Sequence, residues 1–517
     1  MPSPTVVRSS LAAVGLPLLL VLGACAQQAP APAKPSAELA RFYDQELTFG
    51  PCEGYATTPA DEQLFAGGKG FECARLQVPL NYDDPNGETA QIAMLRVPAR
   101  GESMGSLLLN SGGPGGPGMN FAASTAAALA QSPVTERFDL IGFDPRGVGA
   151  TTPAIECFSN EQYLNGEAQT EFVFTAGNWT EADSRQLVDQ CAQRSGGQQT
   201  LASVSTRDTI RDMDVLRAAP GEEKLNFLGQ SYGTRVGALY AEAFPQNVRA
   251  MVLDGAVDPD LGQERRLSQY AGFQRSFEAM AADCATRPDC PLGTDPARAT
   301  ETFQNIVRPL LDRPITFGNG RQFTYNDAIA AVVSALYSQE VRPAITKGLV
   351  ELQAGNPDRL NRLAQLFSGR GPDDSGSNFN SANYAISCMD EERRTPEQAN
   401  DFRRRIYQAA PFADPGRDAD EARDSCEFWP AEPKPAYPFP DLVEGLPQTL
   451  TISITGDPST PYDAGVNLAK SLGCSMLTVE GEQHTVAATG ANACVNGFVA
   501  DYLVTLRTSP ADARCTL

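Results

Sequence analysis

Leu225-Asn226-Phe227-Leu228 runs into Gly229-Gln230-Ser231-Tyr232-Gly233, and Thr234, Val236, Leu239 and Tyr240 follow at helical spacing. An apolar strand, a glycine-flanked turn and a helix in immediate succession leave the chain few options. The glycines permit the close backbone approach of a strained elbow, which lifts the hydroxyl of Ser231 over a sheet edge at a helix N-terminus. A serine merely flanked by surface glycines would leave the strand and helix patterns on either side without a reason.

Five further apolar runs, at 106–109, 140–143, 250–253, 450–454 and 476–479, read with 225–228 as buried parallel strands, each ending in a polar or glycine-rich turn. Helical stretches at 208–218 and 234–244 intervene, as crossovers between parallel strands require. The fold class expected is α/β, a mostly parallel sheet with helices on both faces. In such sheets function gathers at the carboxyl ends of the strands, and each candidate for the chemistry itself, Ser231, Asp457, His484 and the glycine loop, follows one.

Residues 261–441 break the strand rhythm with amphipathic runs at 267–282, 299–311, 325–337 and 344–352. The stretch is far longer than an ordinary crossover, so it reads as a large, mainly helical cap inserted between the sixth and seventh core strands. The core is then divided into 41–260 and 442–517, and 369–381, rich in Gly, Ser, Asp and Asn, is expected to be a mobile loop within the cap.

The chain contains one histidine, His484, in Gly481-Glu482-Gln483-His484-Thr485. It lies downstream of Ser231 and of Gly456-Asp457, the order nucleophile, acid, base. Asp457 ends the 450–454 strand, where it can orient an imidazole and stabilise its charged form. Asp254 and Asp258, after the preceding strand, are the rival acids. Asn110-Ser111-Gly112-Gly113-Pro114-Gly115-Gly116-Pro117-Gly118 follows the first strand. Its backbone amide at Gly113 or a neighbour, joined by that of Tyr232, is expected to surround developing negative charge as an oxyanion hole. A phosphate cradle is disfavoured, because no Gly-Lys-Ser/Thr closes the loop and prolines interrupt it. In Asp144-Pro145-Arg146-Gly147, the charged pair reads as a brace for the turn.

These motifs resemble the exported tripeptidyl aminopeptidases of the α/β-hydrolase superfamily, relatives of proline iminopeptidases. The resemblance runs from about Phe71 to the C-terminus through Gly112-Gly113-Pro114-Gly115-Gly116, Asp144-Pro145-Arg146-Gly147, the Ser231 elbow, Asp457-Pro458-Ser459-Thr460-Pro461 and His484. Ser111 and Pro117 depart from the Pro and Ser more often found there. The resemblance implies the α/β-hydrolase fold, Ser231, Asp457 and His484 as a triad, and release of short peptides from free N-termini under a cap that limits access. Ala385-Ile386-Ser387-Cys388-Met389-Asp390 resembles the family's cap segment, so Asp390, Glu391 or Glu392 is implied to meet a substrate ammonium group.

Arg8 precedes an apolar run at 11–22, too short to span a bilayer, and Leu22-Gly23-Ala24-Cys25 follows. Residues 1–24 read as a lipoprotein signal with Cys25 lipidated, an ordinary secretory cleavage being the alternative; 25–40 reads as a flexible tether. Export to an oxidising compartment favours disulfides among the other eleven cysteines. Sequence neighbours suggest Cys52–Cys73, Cys157–Cys191, Cys284–Cys290, Cys388–Cys426 and Cys474–Cys494, leaving Cys515 over. A single histidine leaves no zinc-ligand set with the cysteines, and neither metal nor cofactor is expected. With 63 carboxylates against 41 Lys and Arg, a net charge of −22 argues against nucleic acid and anionic membrane surfaces as partners. The expected function is a cell-envelope serine exopeptidase of aminopeptidase type. A carboxylesterase or lipase with the same triad and a catalytically silent peptide-binding lipoprotein are the alternatives.

Overall fold

The computed structural model describes residues 36–164, 180–262, 264–367, 376–418, 422–435 and 443–517, together with Met1 and Ala168. Cys25 and residues 2–35 of the signal and tether lie outside the described residues, as do 369–375 of the expected mobile loop. Phe379, Asn380 and Ser381, assigned to that loop by composition, instead open a helix.

Nine strands form one sheet: β1 (Glu72–Pro79), β2 (Thr89–Val97), β3 (Ser106–Asn110), β4 (Asp139–Phe143), β5 (Leu225–Gln230), β6 (Val248–Asp254), β7 (Leu450–Ile454), β8 (Ser475–Glu480) and β9 (Arg514–Thr516). Their spatial order is β1-β2-β4-β3-β5-β6-β7-β8-β9. The β1–β2 and β2–β4 pairs are antiparallel and the rest parallel. The six expected core strands are all present within a residue or two. The β1–β2 hairpin and β9 are additions, and the Asn86-Gly87 turn between two β-rich runs was the available hairpin signal.

Successive residues of the central strands feed opposite faces. In β5, Phe227 joins one buried apolar cluster and Leu228 another; in β6, Met251 and Val252 divide in the same way. This period-2 division explains why the runs are continuously apolar, since a parallel sheet covered by helices is buried on both sides. The covering helices include α1 (Gly118–Ala128), α2 (Thr206–Ala218) and α3 (Tyr232–Ala243). Ser205 caps α2 by accepting the amide of Asp208. Arg146 is buried and reaches Asp212 of α2 at 2.7 Å, while also donating to the carbonyls of Pro79, Leu80 and Ser203.

Between β6 and β7 the chain forms α4 (Glu264–Ala285), α5 (Ala299–Val307), α6 (Tyr325–Leu336), α7 (Pro343–Gln353), α8 (Asp358–Phe367), α9 (Phe379–Asp390) and α10 (Pro396–Ala409). A third apolar cluster is drawn from this segment alone, with Phe277, Phe303, Ile329, Leu336 and Leu349 near its centre. After β7, α11 (Tyr462–Leu472) stops at Gly473, which adopts a left-handed φ of 64°, and α12 (Ala493–Thr505) precedes β9.

Four of the expected disulfides are present, Cys52–Cys73, Cys157–Cys191, Cys284–Cys290 and Cys388–Cys426. The fifth is not the expected one: Cys494 bonds Cys515, and Cys474 is free. Cys474 precedes β8 at its amino end, whereas Cys515 lies opposite Val479 near its carboxyl end. Five strand residues span about 16 Å, beyond the reach of a disulfide.

Candidate active site

The order of the sheet reverses at β3, which has β4 on one side and β5 on the other. Loops leaving the carboxyl ends of β3 and β5 therefore diverge and open a crevice. Ser231 stands at the β5–α3 junction with φ 56° and ψ −126°, a left-handed backbone that a residue with a side chain adopts at a cost of roughly 1–3 kcal/mol. Its surroundings enforce the turn. The amide of Ser231 donates to the carbonyl of Asp254 at 2.9 Å, and Thr234 Oγ1 donates to the carbonyl of Ser231 at 2.6 Å. A Cβ at Gly229 would lie 2.4 Å from the carbonyl oxygen of Gly233, and one at Gly233 2.6 Å from that of Asn110. Both flanking positions are thus closed to any side chain.

Asp457 and His484 meet. Each carboxylate oxygen lies 2.9 Å from Nδ1, with the Asp457 side chain fully buried and that of His484 8 % exposed. Asp457 Oδ1 also accepts the amides of Ser459 and Thr460 at 2.8 Å each, which holds the carboxylate in place. A carboxylate at Nδ1 selects the tautomer protonated there and leaves the Nε2 lone pair for another partner. Asp254, the rival acid, does something different. Its Oδ2 accepts the amides of Val486 and Ala487 at 2.7 and 2.8 Å and the side-chain amide of Gln230 at 2.8 Å. It ties the chain after His484 to the residue before Ser231, and burial pushes its carboxyl above the usual range. Asp258 takes Asn467 Nδ2 at 2.7 Å.

Across the crevice, the β3–α1 loop passes close to the elbow. A Cβ at Gly112 would lie 2.9 Å from the amide nitrogen of Tyr232 and 3.0 Å from Cβ of Ser231. The Gly112 amide itself is used by Asn110 Oδ1, at 3.0 Å. Tyr232 opens α3, so its amide is one of the donors for which a helix has no internal acceptor. Gly113 is the next residue of the loop, also with positive φ, 112°. The Tyr232 side chain is anchored away from the crevice, its hydroxyl in short contact with that of Thr206.

Ser231, Tyr232, Gly112, Gly113 and His484 border one cavity of about 1020 Å³. Helices between β6 and β7 supply much of its opposite wall through Phe273, Ser334, Tyr337, Phe379 and Asn383. The histidine loop is bonded to that wall. The amide of His484 donates to the carbonyl of Tyr337 at 2.9 Å, and the two rings meet edge to face with centroids 5.1 Å apart. Tyr337 carried no sequence signal beyond its place in an amphipathic run.

Asp390, Glu391 and Glu392 do not border the cavity, whose acidic lining is Asp61 and Asp258. Asp390 is buried behind the elbow, accepting the amide of Thr206 at 2.9 Å and, in a short contact, its hydroxyl; burial pushes its carboxyl up to about 6. Glu391 is buried between Arg265 Nη2 at 3.0 Å and Arg266 Nη2 at 3.1 Å, with Arg394 at 3.9 Å. Burial opposes its charge, but the three guanidinium groups prevail and hold the carboxyl down to about 2. Glu392 is exposed. The side chains of Asp390 and Glu391 are thus consumed by internal partners.

Known proteins bear on this arrangement. A family model described as the alpha/beta hydrolase fold matches residues 105–491. Serine protease Hip1 of Mycobacterium tuberculosis is 41 % identical over 458 residues, covering 86 % of this chain and 87 % of that protein. Carboxylesterase B of the same organism is 40 % identical over 453 residues, 86 % of each chain. Tripeptidyl aminopeptidase of Streptomyces lividans is 29 % identical over 479 residues, covering 86 % of this chain and 84 % of its own. A model matching most of the length, with two relatives above two-fifths or at two-fifths identity across nearly all of it, makes the chain a member of the alpha/beta hydrolase family, a serine hydrolase.

Proposed function

We propose that the chain is a serine peptidase of aminopeptidase type, releasing short peptides, tripeptides among them, from free N-termini through an acyl-enzyme. The observation that carries this reading is that His484, held by Asp457, borders the same cavity as Ser231. His484 Nε2 takes the Ser231 proton as Oγ attacks the scissile carbonyl. Asp457 steadies the imidazolium, and the amides of Gly113 and Tyr232 receive the oxyanion, each such donor contributing about 3 kcal/mol to lowering the barrier. The imidazolium then protonates the leaving amine, and water repeats the sequence to release the acyl group. The reaction draws on no metal or cofactor.

A cavity of about 1020 Å³ has room for several residues of a peptide. Asp61 and Asp258 are the carboxylates that border it, each already accepting internal donors: Thr57, Thr58 and Asn120 for Asp61, and Asp260 and Asn467 for Asp258. We assign residues 261–441 as a cap over a core made of 41–260 and 442–517, since one apolar cluster lies wholly within it, while Tyr384, Ile386, Met389 and Trp429 of the same segment join a cluster of the core. Five disulfides fit an exported protein; we assign 1–24 as a lipoprotein signal, Cys25 as the lipid anchor and 25–40 as a tether holding the enzyme at the cell envelope.

Peptide anilides of one to three residues, with free and acetylated N-termini, test the aminopeptidase reading against a short-chain ester. Cleavage restricted to free amines is the expected result; equal cleavage of blocked and free peptides would remove the assignment. The relative named carboxylesterase B supports a second reading, ester hydrolysis by the same three residues, and ester turnover without anilide cleavage would select it.

A further inference from the structure

The cavity wall beside Ser231 carries a buried positive charge that has no direct partner among the described residues. Arg235 lies on α3, one helical turn beyond Ser231, and its side chain borders the cavity. The residue is 4 % exposed. Its Nε meets no hydrogen-bond partner, and no described residue gives its guanidinium a hydrogen bond or salt bridge. Arg235 is the charge that acts most strongly on the buried carboxylate of Asp390, but that carboxylate spends Oδ1 on the amide of Thr206 and Oδ2 on its hydroxyl.

Arg265 and Arg266, at the start of α4, border the same cavity and share the single carboxylate of Glu391 with Arg394. Arg265 Nε is buried without a partner as well. Burial, then the neighbouring charge of Arg235, hold the Arg265 guanidinium well below the usual arginine range, down to about 9. Arg235 and Arg265 thus bring two buried guanidinium groups to the wall of one cavity, each with an Nε that meets no hydrogen-bond partner. Isolated buried cations are costly, and the cost falls when an anion fills the site with a fork of charge-assisted hydrogen bonds.

We propose that Arg235, with Arg265 beside it, recognises a carboxylate of the substrate close to the scissile bond, either an acidic side chain or the free C-terminal carboxylate of a short peptide. The inference rests on the acyl-transfer reading above and narrows its substrate class. The site is ready before substrate arrives, because the guanidinium is already desolvated and lies on a rigid helix.

The test pairs each substrate with an uncharged twin. Free-amine peptide anilides carrying Glu or Gln, and Asp or Asn, at each position cover the side-chain source; peptides ending in a free acid or an amide cover the terminal source. The wild-type enzyme is expected to prefer one charged member by about tenfold or more in kcat/KM, mostly through KM. Arg235→Met should bring that ratio near one and Arg235→Lys should keep part of it. An N-acetylated peptide acid should also inhibit the wild type more strongly than its amide, a comparison that needs no variant. Ratios near one for every pair in the wild type, with no difference between acid and amide as inhibitors, would overturn the anion site alone. Absence of all turnover and of fluorophosphonate labelling would instead overturn the acyl-transfer reading on which it rests.

Discussion

The carbonyl of Tyr337 accepts the backbone amide of His484, so the helical segment between β6 and β7 is bonded to the loop that carries the imidazole. An isolated bridge between Ser338 and Gln483 extends the contact, and Tyr337 Oη lies 3.3 Å from Ser459 Oγ, beside the Asp457 turn. The position of the histidine is therefore set from both sides, by Asp457 on the core and by Tyr337 on the insertion. A lid that swung freely at this seam would carry the imidazole with it.

Tyr337 is then a positioning residue. Tyr337→Ala keeps the main-chain bond and loses the ring edge against His484; kcat for ester hydrolysis should fall about tenfold, a loss in the range of a misplaced catalytic group. Tyr337→Phe keeps the ring, gives up the hydroxyl that meets Ser459 and should stay within about twofold. Steady-state kinetics of both variants check the pair, and equal losses would mean that the hydroxyl, not the ring, matters.

The two buried aspartates near His484 should separate cleanly. Asp457→Asn offers Nδ1 a donor or reverses the tautomer, and kcat should drop by about 10⁴. Asp254→Asn can still present its carbonyl oxygen to the amides of Val486 and Ala487, with the new amide nitrogen turned toward the position of Oδ1, which has no partner. That variant should lose about 1–2 kcal/mol of stability and most of its activity should remain. Denaturant midpoints and kcat measured on both variants decide it. A collapse of kcat in Asp254→Asn with an unchanged midpoint would return Asp254 to the list of acids.

How much of this was legible depended on the range of the interactions. The elbow at Ser231 was readable because strand, glycines and helix are contiguous, and β7 and β8 were readable because each is an apolar run ending in a turn. Asp457 and Asp254 look alike in sequence, since both end strands; what separates them is which loop reaches His484, a matter of sheet order. Arg235 falls at the fourth position of α3, and nothing local tells a solvated guanidinium from one buried in a cavity wall. Asp390 and Glu391 misled for the same reason, their partners Thr206, Arg265 and Arg266 being remote in the chain.

Cys474 should behave as a silent thiol. It sits before β8 beside the hydroxyl of Thr449, and burial pushes its thiol up to about 11, so the reactive thiolate is scarce at neutral pH. Thiol reagents should modify it only after unfolding. Cys474→Ala should leave every described disulfide in place, whereas Cys494→Ala should liberate Cys515 as a second thiol. Non-reducing peptide mapping reads both outcomes, and a Cys474–Cys494 peptide would contradict the arrangement.

Glu391 gives the molecule an acid-sensitive point whose sign follows from its environment. Its carboxyl is held near 2 by Arg266, Arg265 and Arg394 against an ordinary value of 4.5. A carboxylate more acidic in the folded state contributes stability that is complete above the unfolded value and disappears as pH falls through the folded one. The contribution, about 3 kcal/mol for a shift of this size, should therefore be full at pH 7 and decline between about pH 4.5 and 2. Glu391→Gln should be destabilised by about 3–5 kcal/mol at neutral pH, because it strands buried guanidinium groups. The gap from wild type should narrow as the buffer is acidified through that window. Urea midpoints of the two proteins at pH 7, 4.5 and 3 measure it, and a gap that stayed constant or widened on acidification would mean that Glu391 is not the charge holding those arginines.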